Sequence, residues 1–356
     1  MQGGDLVARH VNIPIFIPHL GCPNACVFCN QRSISGHVTF DPQSVEAEIE
    51  EALSTVGAED ECEIAFFGGS FTGIDRSLMI YLLDTAQKYI DSGKVSSVRL
   101  STRPDYINGE ILDILSRYGV RTVELGLQSL SDEVLVASGR GHDSECARRA
   151  CRMVKKWGFS LIGQMMIGLP DSDAESECET ARQIIAAGAD GARVYPTVVF
   201  VDTELACMTE RGEYMPLDND AAVIRTANVL DIFDKAGVPC IRVGLCASEN
   251  LSDESKVVGG ANHSSIGEMA MSELYFRRIC ERLDEMEICG GELTVYVSSG
   301  STSKAVGQKK KNKAKICEKY GIERIKVLEK NELIGYNIII KYCRNTKQRR
   351  EIPPCI

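Results

Sequence analysis

No apolar run in this 356-residue chain approaches the ~20 residues that cross a bilayer. The longest, around Asn337 to Ile340, has the length of a strand, so no membrane association is expected. The start shows no charged segment followed by an apolar one, the pattern of a secretory leader. The fifteen cysteines therefore read as thiols of a reducing, cytoplasmic protein rather than a disulfide scaffold, and their odd number agrees. No second Cys-x2-Cys pair joins Cys26 and Cys29: Cys146 and Cys151 are five apart on one expected helix, and Cys240 and Cys246 flank an expected strand. No auxiliary cysteine cluster is expected. Acidic charge is scarce at one end only. From Gly300 onward there are 15 Lys and Arg against 5 Glu and no Asp, a net of +10 within a total of -10, which leaves -20 on residues 1–299. An acidic body with a basic end points either to an anionic partner held at that end, nucleic acid above all, or to a solvated lysine-rich face.

What is present is a βα rhythm. Strand patterns at residues 12–18, 62–67, 95–101, 121–128, 159–167 and 191–199 alternate with helical patterns at 42–55, 75–92, 108–117, 144–156 and 173–187. This predicts an α/β protein built on a partial (β/α)6 TIM-like barrel. Residues 217–236 read as another helix, 238–244 as a further strand, and 265–283 as a helix closing one end. The core domain is expected to span 1–289, punctuated by Gly290 and Gly291. In such barrels functional groups sit on loops after the strands, and the distinctive motifs fall there.

Cys22, Cys26 and Cys29 stand in Cys-x3-Cys-x2-Cys spacing in the loop after the first strand. Zinc wants a fourth ligand, for which His37 is the nearby candidate, and usually two separated pairs. Three thiolates suit a 4Fe-4S cluster with one open iron, free to bind the amino and carboxylate groups of a ligand's methionine end. An electron passed through that cluster cleaves a sulfonium and yields a deoxyadenosyl radical. Phe28, between the second and third thiols, is placed to pack against an adenine.

Further motifs are Phe67-Gly-Gly-Ser-Phe-Thr-Gly73, Ser101-Thr-Arg-Pro-Asp-Tyr106, Glu124-Leu-Gly-Leu-Gln-Ser129 with Gly139-Arg-Gly-His142, and Met165-Met-Ile-Gly-Leu-Pro170. With the cysteine triad, they make residues 10–270 resemble the radical S-adenosylmethionine (SAM) core of the Elongator catalytic subunit and its bacterial relatives; oxygen-independent coproporphyrinogen oxidase-like proteins are more distant. The resemblance implies a barrel of the radical SAM type, a 4Fe-4S cluster on Cys22, Cys26 and Cys29, and SAM as cofactor. It places Gly68 and Gly69 at the methionine end, with Ser70 and Thr72 adding hydroxyls, and Gln128 and Arg140 at the ribose and carboxylate. Ser101, Arg103 and Gln164 line the same pocket. Ser101 stands where many relatives carry Glu, and Gln164 where they carry His or Asp. Arg193 and Tyr195 are expected to face the mouth, where substrate would meet them, and His263 either to order a glycine-rich loop or to act in catalysis.

Residues 290–343 read differently: a strand at 292–298, two short helices within 302–320, and strands at 323–327 and 333–342. Val306-Gly-Gln-Lys-Lys-Lys-Asn312 resembles the G-x-x-G turn of a KH module, which clamps about four nucleotides, with Lys310 at the second glycine position. A small α+β, KH-like appendage is expected, with Lys309, Lys310 and Lys311 meeting phosphates and a basic tail at 344–356.

The family resemblance and the basic end together imply a radical SAM enzyme acting in tRNA or RNA base modification, served by a reductant such as flavodoxin or ferredoxin. The acetyltransferase domain of full-length Elongator catalytic subunits is not expected in 356 residues. Two other readings stay open: a radical SAM enzyme acting on a small molecule or porphyrin, and a non-enzymatic haem-binding or delivery protein related to the coproporphyrinogen oxidase-like group.

Overall fold

The computed structural model describes residues 9–17, 20–22, 26–30, 40–57, 59–245 and 255–344. His37, Cys246 and most of the basic tail lie outside the described residues.

Seven parallel strands make one curled sheet in the order β1-β2-β3-β4-β5-β6-β8. They are β1 (His10–Ile17), β2 (Glu61–Gly68), β3 (Ser97–Thr102), β4 (Val120–Gln128), β5 (Ser160–Ile167), β6 (Gly191–Pro196) and β8 (Cys240–Val243). The six expected strands are present, and the further strand expected at 238–244 pairs onto β6 as a seventh. β1 and β8 do not meet, so the barrel stays half open. Return helices lie between them: α1 (Val45–Leu53), α2 (Arg76–Asp91), α3 (Gly109–Arg117), α4 (Asp132–Ala137), α5 (Ser144–Lys156) and α6 (Ala174–Ala186). Several start where a side chain replaces a missing backbone partner. Asp75, Asn108, Asp143 and Asp173 each accept hydrogen bonds from first-turn N–H groups, worth about 1 kcal/mol apiece.

Period-two alternation sorts each strand's side chains to opposite faces. Ile13, Ile15, Ile17, Ile64, Phe66, Val98, Leu100, Val123, Leu125 and Leu127 are buried in one continuous core with the helices. The opposite, inward face is polar: Glu63, Arg99, Ser101, Glu124, Gln164, Arg193 and Tyr195 fall there by the same alternation.

The expected strand at 191–199 divides. Pro196 ends β6, because it offers no N–H to continue the ladder, and β7 (Val198–Phe200) pairs antiparallel with β9 (Val257–Gly260) instead. The sequence reading did not foresee α4 or α7 (Glu204–Glu210). The expected helix at 217–236 is α8 (Asn219–Lys235), and that at 265–283 is α9 (Ile266–Glu285).

The end of the chain forms a three-stranded sheet, order β11-β10-β12, from β10 (Glu292–Val297), β11 (Arg324–Glu329) and β12 (Ile339–Cys343). β12 begins later than the expected 333, because a turn with Gly335 at φ 62° precedes it. Helices α10 (Thr302–Val306) and α11 (Lys311–Tyr320) follow β10. Leu293, Val295, Val297, Ile316 and Ile325 share a buried cluster with Tyr275, Ile279 and Leu283 of α9, so α9 ties this sheet to the barrel. Among the described residues no helix is long and apolar enough to cross a membrane.

Candidate cluster and cofactor site

The cysteine segment is clamped from three directions. The Gly69 and Ser70 N–H groups donate to Ile17 and Leu20 carbonyls at 2.8 and 3.0 Å. Further on, Val27 N–H donates to Ser138 O at 3.2 Å, Leu205 N–H donates to Val27 O at 2.8 Å, and the Asn30 amide donates to Val201 O at 3.0 Å. The segment thus spans the open mouth from β2 to the chain after β7.

Gly68 and Gly69 have a reason beyond any ligand. A Cβ added at Gly69 would stand 2.1 Å from the Leu20 carbonyl oxygen, and one at Gly21 would stand 2.2 Å from Ser70 O. The close approach is made at Gly69 by Leu20 of the cysteine segment and at Gly68 by Ile17 at the end of β1, whose carbonyl oxygen an added Cβ would meet at 3.0 Å. Ser70 and Thr72 are likewise occupied: Thr102 Oγ1 lies 2.8 Å from Ser70 Oγ and 2.6 Å from Thr72 Oγ1, and Arg103 N–H donates to Ser70 Oγ at 3.1 Å. These hydroxyls set the start of the Arg103 turn.

Two guanidiniums converge on the second cysteine. Arg140 Nη1 lies 3.2 Å and Arg103 Nη1 3.8 Å from Cys26 Sγ. Arg103 also grips Asp105 through Nε and Nη2, both at 3.0 Å, and donates to the Arg140 carbonyl. Arg140 donates to Gly126 O. Cys22 is exposed at its surface, yet desolvation by the surrounding chain pushes its thiol up, against the pull of Arg103 and then Arg140. Among the described residues no three Cys, His, Asp or Glu side chains are gathered as a finished metal site. The donor set nonetheless fits a cluster: three thiols in one short segment, with two cations beside the buried one to offset thiolate charge.

Gln128 and Arg140, twelve residues apart, meet at Gly126. A Cβ placed there would lie 3.2 Å from Gln128 Nε2 and 3.6 Å from Arg140 Nη2. Gln128 holds φ at 66°, beside a register break in the β4–β5 ladder, a conformation costing roughly 1–3 kcal/mol. Its Oε1 and Arg140 Nε are buried without a hydrogen-bond partner in the protein. Strained backbone and orphaned polar atoms at the end of a barrel strand are what a ligand-binding corner presents.

Deeper in the barrel lies a charge ladder that sequence reading missed. Glu124, 1 % exposed, accepts from Arg193 Nη2 at 3.1 Å and from Ser101 Oγ at 3.5 Å, and pairs in charge with Arg193 Nε at 2.7 Å and Arg99 Nη1 at 3.4 Å. Arg99 Nε continues to Glu63 Oε2 at 3.0 Å, and Glu63 also meets His10 and Ser97. Arg193 donates to Tyr195 Oη at 3.3 Å and lies over the Phe67 ring at 5.4 Å. Gln164 sits on β5, registered with Gly126 and Arg193. The only sequence signal was opposite charges recurring at inward positions of neighbouring strands.

Phe28 packs on Val199, Leu205 and Ala206. His263 accepts from Ser265 N–H at 3.0 Å, ordering its own turn. Lys309, Lys310 and Lys311 are exposed and remote in sequence from this cleft. Beside the arginine pair, a cavity of about 400 Å³ is lined by Asp105, Asp132, Leu135, His142, Asp143 and Cys146. Burial pushes the Cys151 and Cys240 thiols up to about 12, marking them as packing residues.

A half-open parallel barrel with a cysteine segment after β1 and a glycine pair after β2 defines a radical SAM protein. Residues 16–184 match the Radical SAM superfamily and residues 189–276 match the Radical_SAM C-terminal domain. The chain belongs to the radical SAM enzymes, whose cofactors are a 4Fe-4S cluster and SAM. It is similar to the tRNA uridine(34) acetyltransferase of Methanocaldococcus infernus, 27% identical over 57% of this chain and 46% of that protein. It is also similar to Elongator complex protein 3 of Schizosaccharomyces pombe, 25% identical over 60% of this chain and 47% of that protein. Protein YhcC of Escherichia coli is 26% identical over 60% of this chain and 72% of its own length. The chain spans about half the length of the archaeal acetyltransferases it matches. The solved archaeal Elp3 of Methanocaldococcus infernus shares the fold, with TM-score 0.59 and 21% identity over 79% of this chain and 64% of that one.

Proposed function

We propose that this protein reductively cleaves SAM at a 4Fe-4S cluster held by Cys22, Cys26 and Cys29, and uses the resulting 5′-deoxyadenosyl radical in tRNA base modification. The observation that carries the reading is the pair of guanidiniums from Arg103 and Arg140 on Cys26 Sγ. The cluster supplies electron transfer into the sulfonium when bound. The chain's own residues do the rest: Arg140 and Gln128 bind and orient SAM, assisted by Gly68, Gly69, Ser70, Ser101, Arg103 and Gln164. Phe28 packs toward the adenine side. Arg193, held by Glu124, and Tyr195, held by Arg193, face the substrate. Electrons come from a reductant of the flavodoxin or ferredoxin kind, and the protein works in the cytoplasm.

The tRNA part is supported by the activity for which the archaeal relatives are named and by the basic end. In the proposed KH-like unit of residues 290–343, Lys309 and Lys310 take φ of 50° and 63°. This left-handed turn costs an L residue roughly 1–2 kcal/mol. Asn312 anchors the turn by donating to Ser272 O, Ser272 Oγ and Ala305 O at 2.8, 2.9 and 3.2 Å. The lysines are thereby held outward for phosphate. Comparing tRNA nucleosides from cells with and without the protein tests this reading: a modified nucleoside lost with the gene and restored by wild type but not by Cys26→Ala is expected. Identical nucleoside profiles would refute the tRNA substrate.

A further inference from the structure

The three-stranded sheet at the end of the chain has one covered face and one bare face. Leu293, Val295 and Val297 of β10 point into the cluster shared with α9, so the alternate residues point away. Register places these in rows across the strands. Tyr296 of β10 is paired with Leu328 of β11 and Ile339 of β12. One row on, Thr294 is paired with Lys326 and Lys341, and beyond that Glu292 with Arg324 and Cys343.

The first row is apolar and partly open to solvent: Tyr296 is half-buried between Leu328, 46% exposed, and Ile339, 39% exposed. The second carries two exposed lysines. Lys341 Nζ lies over the Tyr296 ring, 5.2 Å from its centre, so ring and ammonium fall within the reach of one nucleotide, whose base takes the ring face as the flexible ammonium moves to the adjoining phosphate. An aromatic ring on a central strand, apolar neighbours beside it and cations one row away form a stacking platform bordered by phosphate contacts. Base faces are reachable in single strands and hidden in a duplex.

We infer that this bare sheet face, centred on Tyr296 and bordered by Lys326, Lys341 and Arg324, binds single-stranded RNA by stacking a base on Tyr296 and pairing the cations with flanking phosphates. Charge selects the occupant. The face carries three cations against Glu292, on an end whose net charge is +10 in a chain whose remainder carries -20. A second copy docking face to face would bring like charges together, whereas a polyanion is drawn to this face and repelled by the body. The inference deepens the RNA reading given above and adds a surface separate from the Lys309–Lys311 turn.

The test uses the full chain and a fluorescein-labelled single-stranded RNA of about a dozen nucleotides, titrated at several salt concentrations. Tyr296→Ala is expected to weaken binding about tenfold, as loss of one base-stacking partner does, while Tyr296→Phe, which keeps the ring, stays near wild type. The double variant Lys326→Gln/Lys341→Gln is expected to flatten the slope of log affinity against log salt by about 1.4, the share of two phosphate contacts on a single strand. An RNA duplex of equal length should compete weakly. Unchanged affinity in both the Tyr296→Ala protein and the lysine pair variant would overturn the inference. If those variants bind normally while Lys309→Glu/Lys311→Glu does not, the sheet face is refuted and the RNA reading stands; if wild type does not bind RNA, both fall. Sedimentation showing a dimer that Tyr296→Ala dissolves, with RNA affinity unchanged, would assign the face to a second copy and also overturn it.

Discussion

Arg140 Nη1 lies 3.2 Å from Cys26 Sγ, so a side chain from the turn after α4 reaches the middle thiol of a segment that follows β1. The same guanidinium bonds Gly126 O at the end of β4. One planar fork therefore fixes its own turn, the cysteine segment and the end of β4 relative to each other, which a lysine's single ammonium does not reproduce. Arg140→Lys is expected to lower 5′-deoxyadenosine formation by about 10- to 100-fold, the range seen when groups that orient metal ligands are lost. Product assays normalised to iron content check this; activity equal to wild type would remove Arg140 from the site.

Gly69→Ala tests the clamp on the cysteine segment. Its added Cβ collides with backbone, at 2.1 Å from Leu20 O, and backbone does not yield as a side-chain tip would. Overpacking of this kind costs about 1–3 kcal/mol, paid where the segment is held. Iron and sulfide bound after anaerobic reconstitution should fall well below wild type even at temperatures where the protein remains folded.

Glu124→Gln leaves Arg193 and Arg99 buried beside a neutral amide. Breaking a buried ion pair from one side costs about 3–5 kcal/mol. Urea unfolding should show a loss of this size, whereas Arg121→Gln, whose partner Glu61 is exposed and 3.9 Å away, should change stability by less than about 1 kcal/mol.

His142 gives the stability an acid dependence. Its side chain is 1 % exposed, both ring nitrogens lack hydrogen-bond partners, and burial, reinforced by Arg140, lowers its pKa from 6.5 to about 4. The unfolded chain thus takes up a proton before the folded one does. The neutral ring's contribution is complete above pH 6.5 and shrinks as pH falls toward 4, by about 3 kcal/mol in all. His142→Gln should flatten that part of the urea-derived stability profile; superimposable profiles would contradict the assignment.

Lys310→Gly separates strain from charge in the basic turn. With φ at 63°, glycine relieves the left-handed penalty, so stability should stay level or rise by up to about 1 kcal/mol. RNA affinity should fall with the lost charge and show a shallower salt dependence.

Much of the barrel was legible because two periodicities meet in it. Strands buried on one face by helices leave runs such as Ile64 to Phe66 and Val123 to Leu127, and helices announce themselves by Asp and Asn caps at Asp75, Asn108, Asp143 and Asp173. The thiol triad and the glycine pair stood out as motifs, whereas the pairing of Gln128 with Arg140 came from the family resemblance, and the structure brings the two side chains together at Gly126. What glycine does at position 69 was not readable, because the colliding carbonyl belongs to Leu20, and sequence distance hides such contacts. The ladder Glu63–Arg99–Glu124–Arg193 was hidden for the same reason: its partners sit on four strands whose register only folding sets. The split at Pro196 was signalled by proline, but the antiparallel pairing of β7 with β9 depends on a distant segment.

The central claim is that Cys22, Cys26 and Cys29 hold a cluster that cleaves SAM. Anaerobically reconstituted wild type, given dithionite and SAM, is expected to form 5′-deoxyadenosine, and Cys26→Ala prepared in the same way is expected to form none. Absence of that product from wild type with a fully loaded cluster would contradict the account.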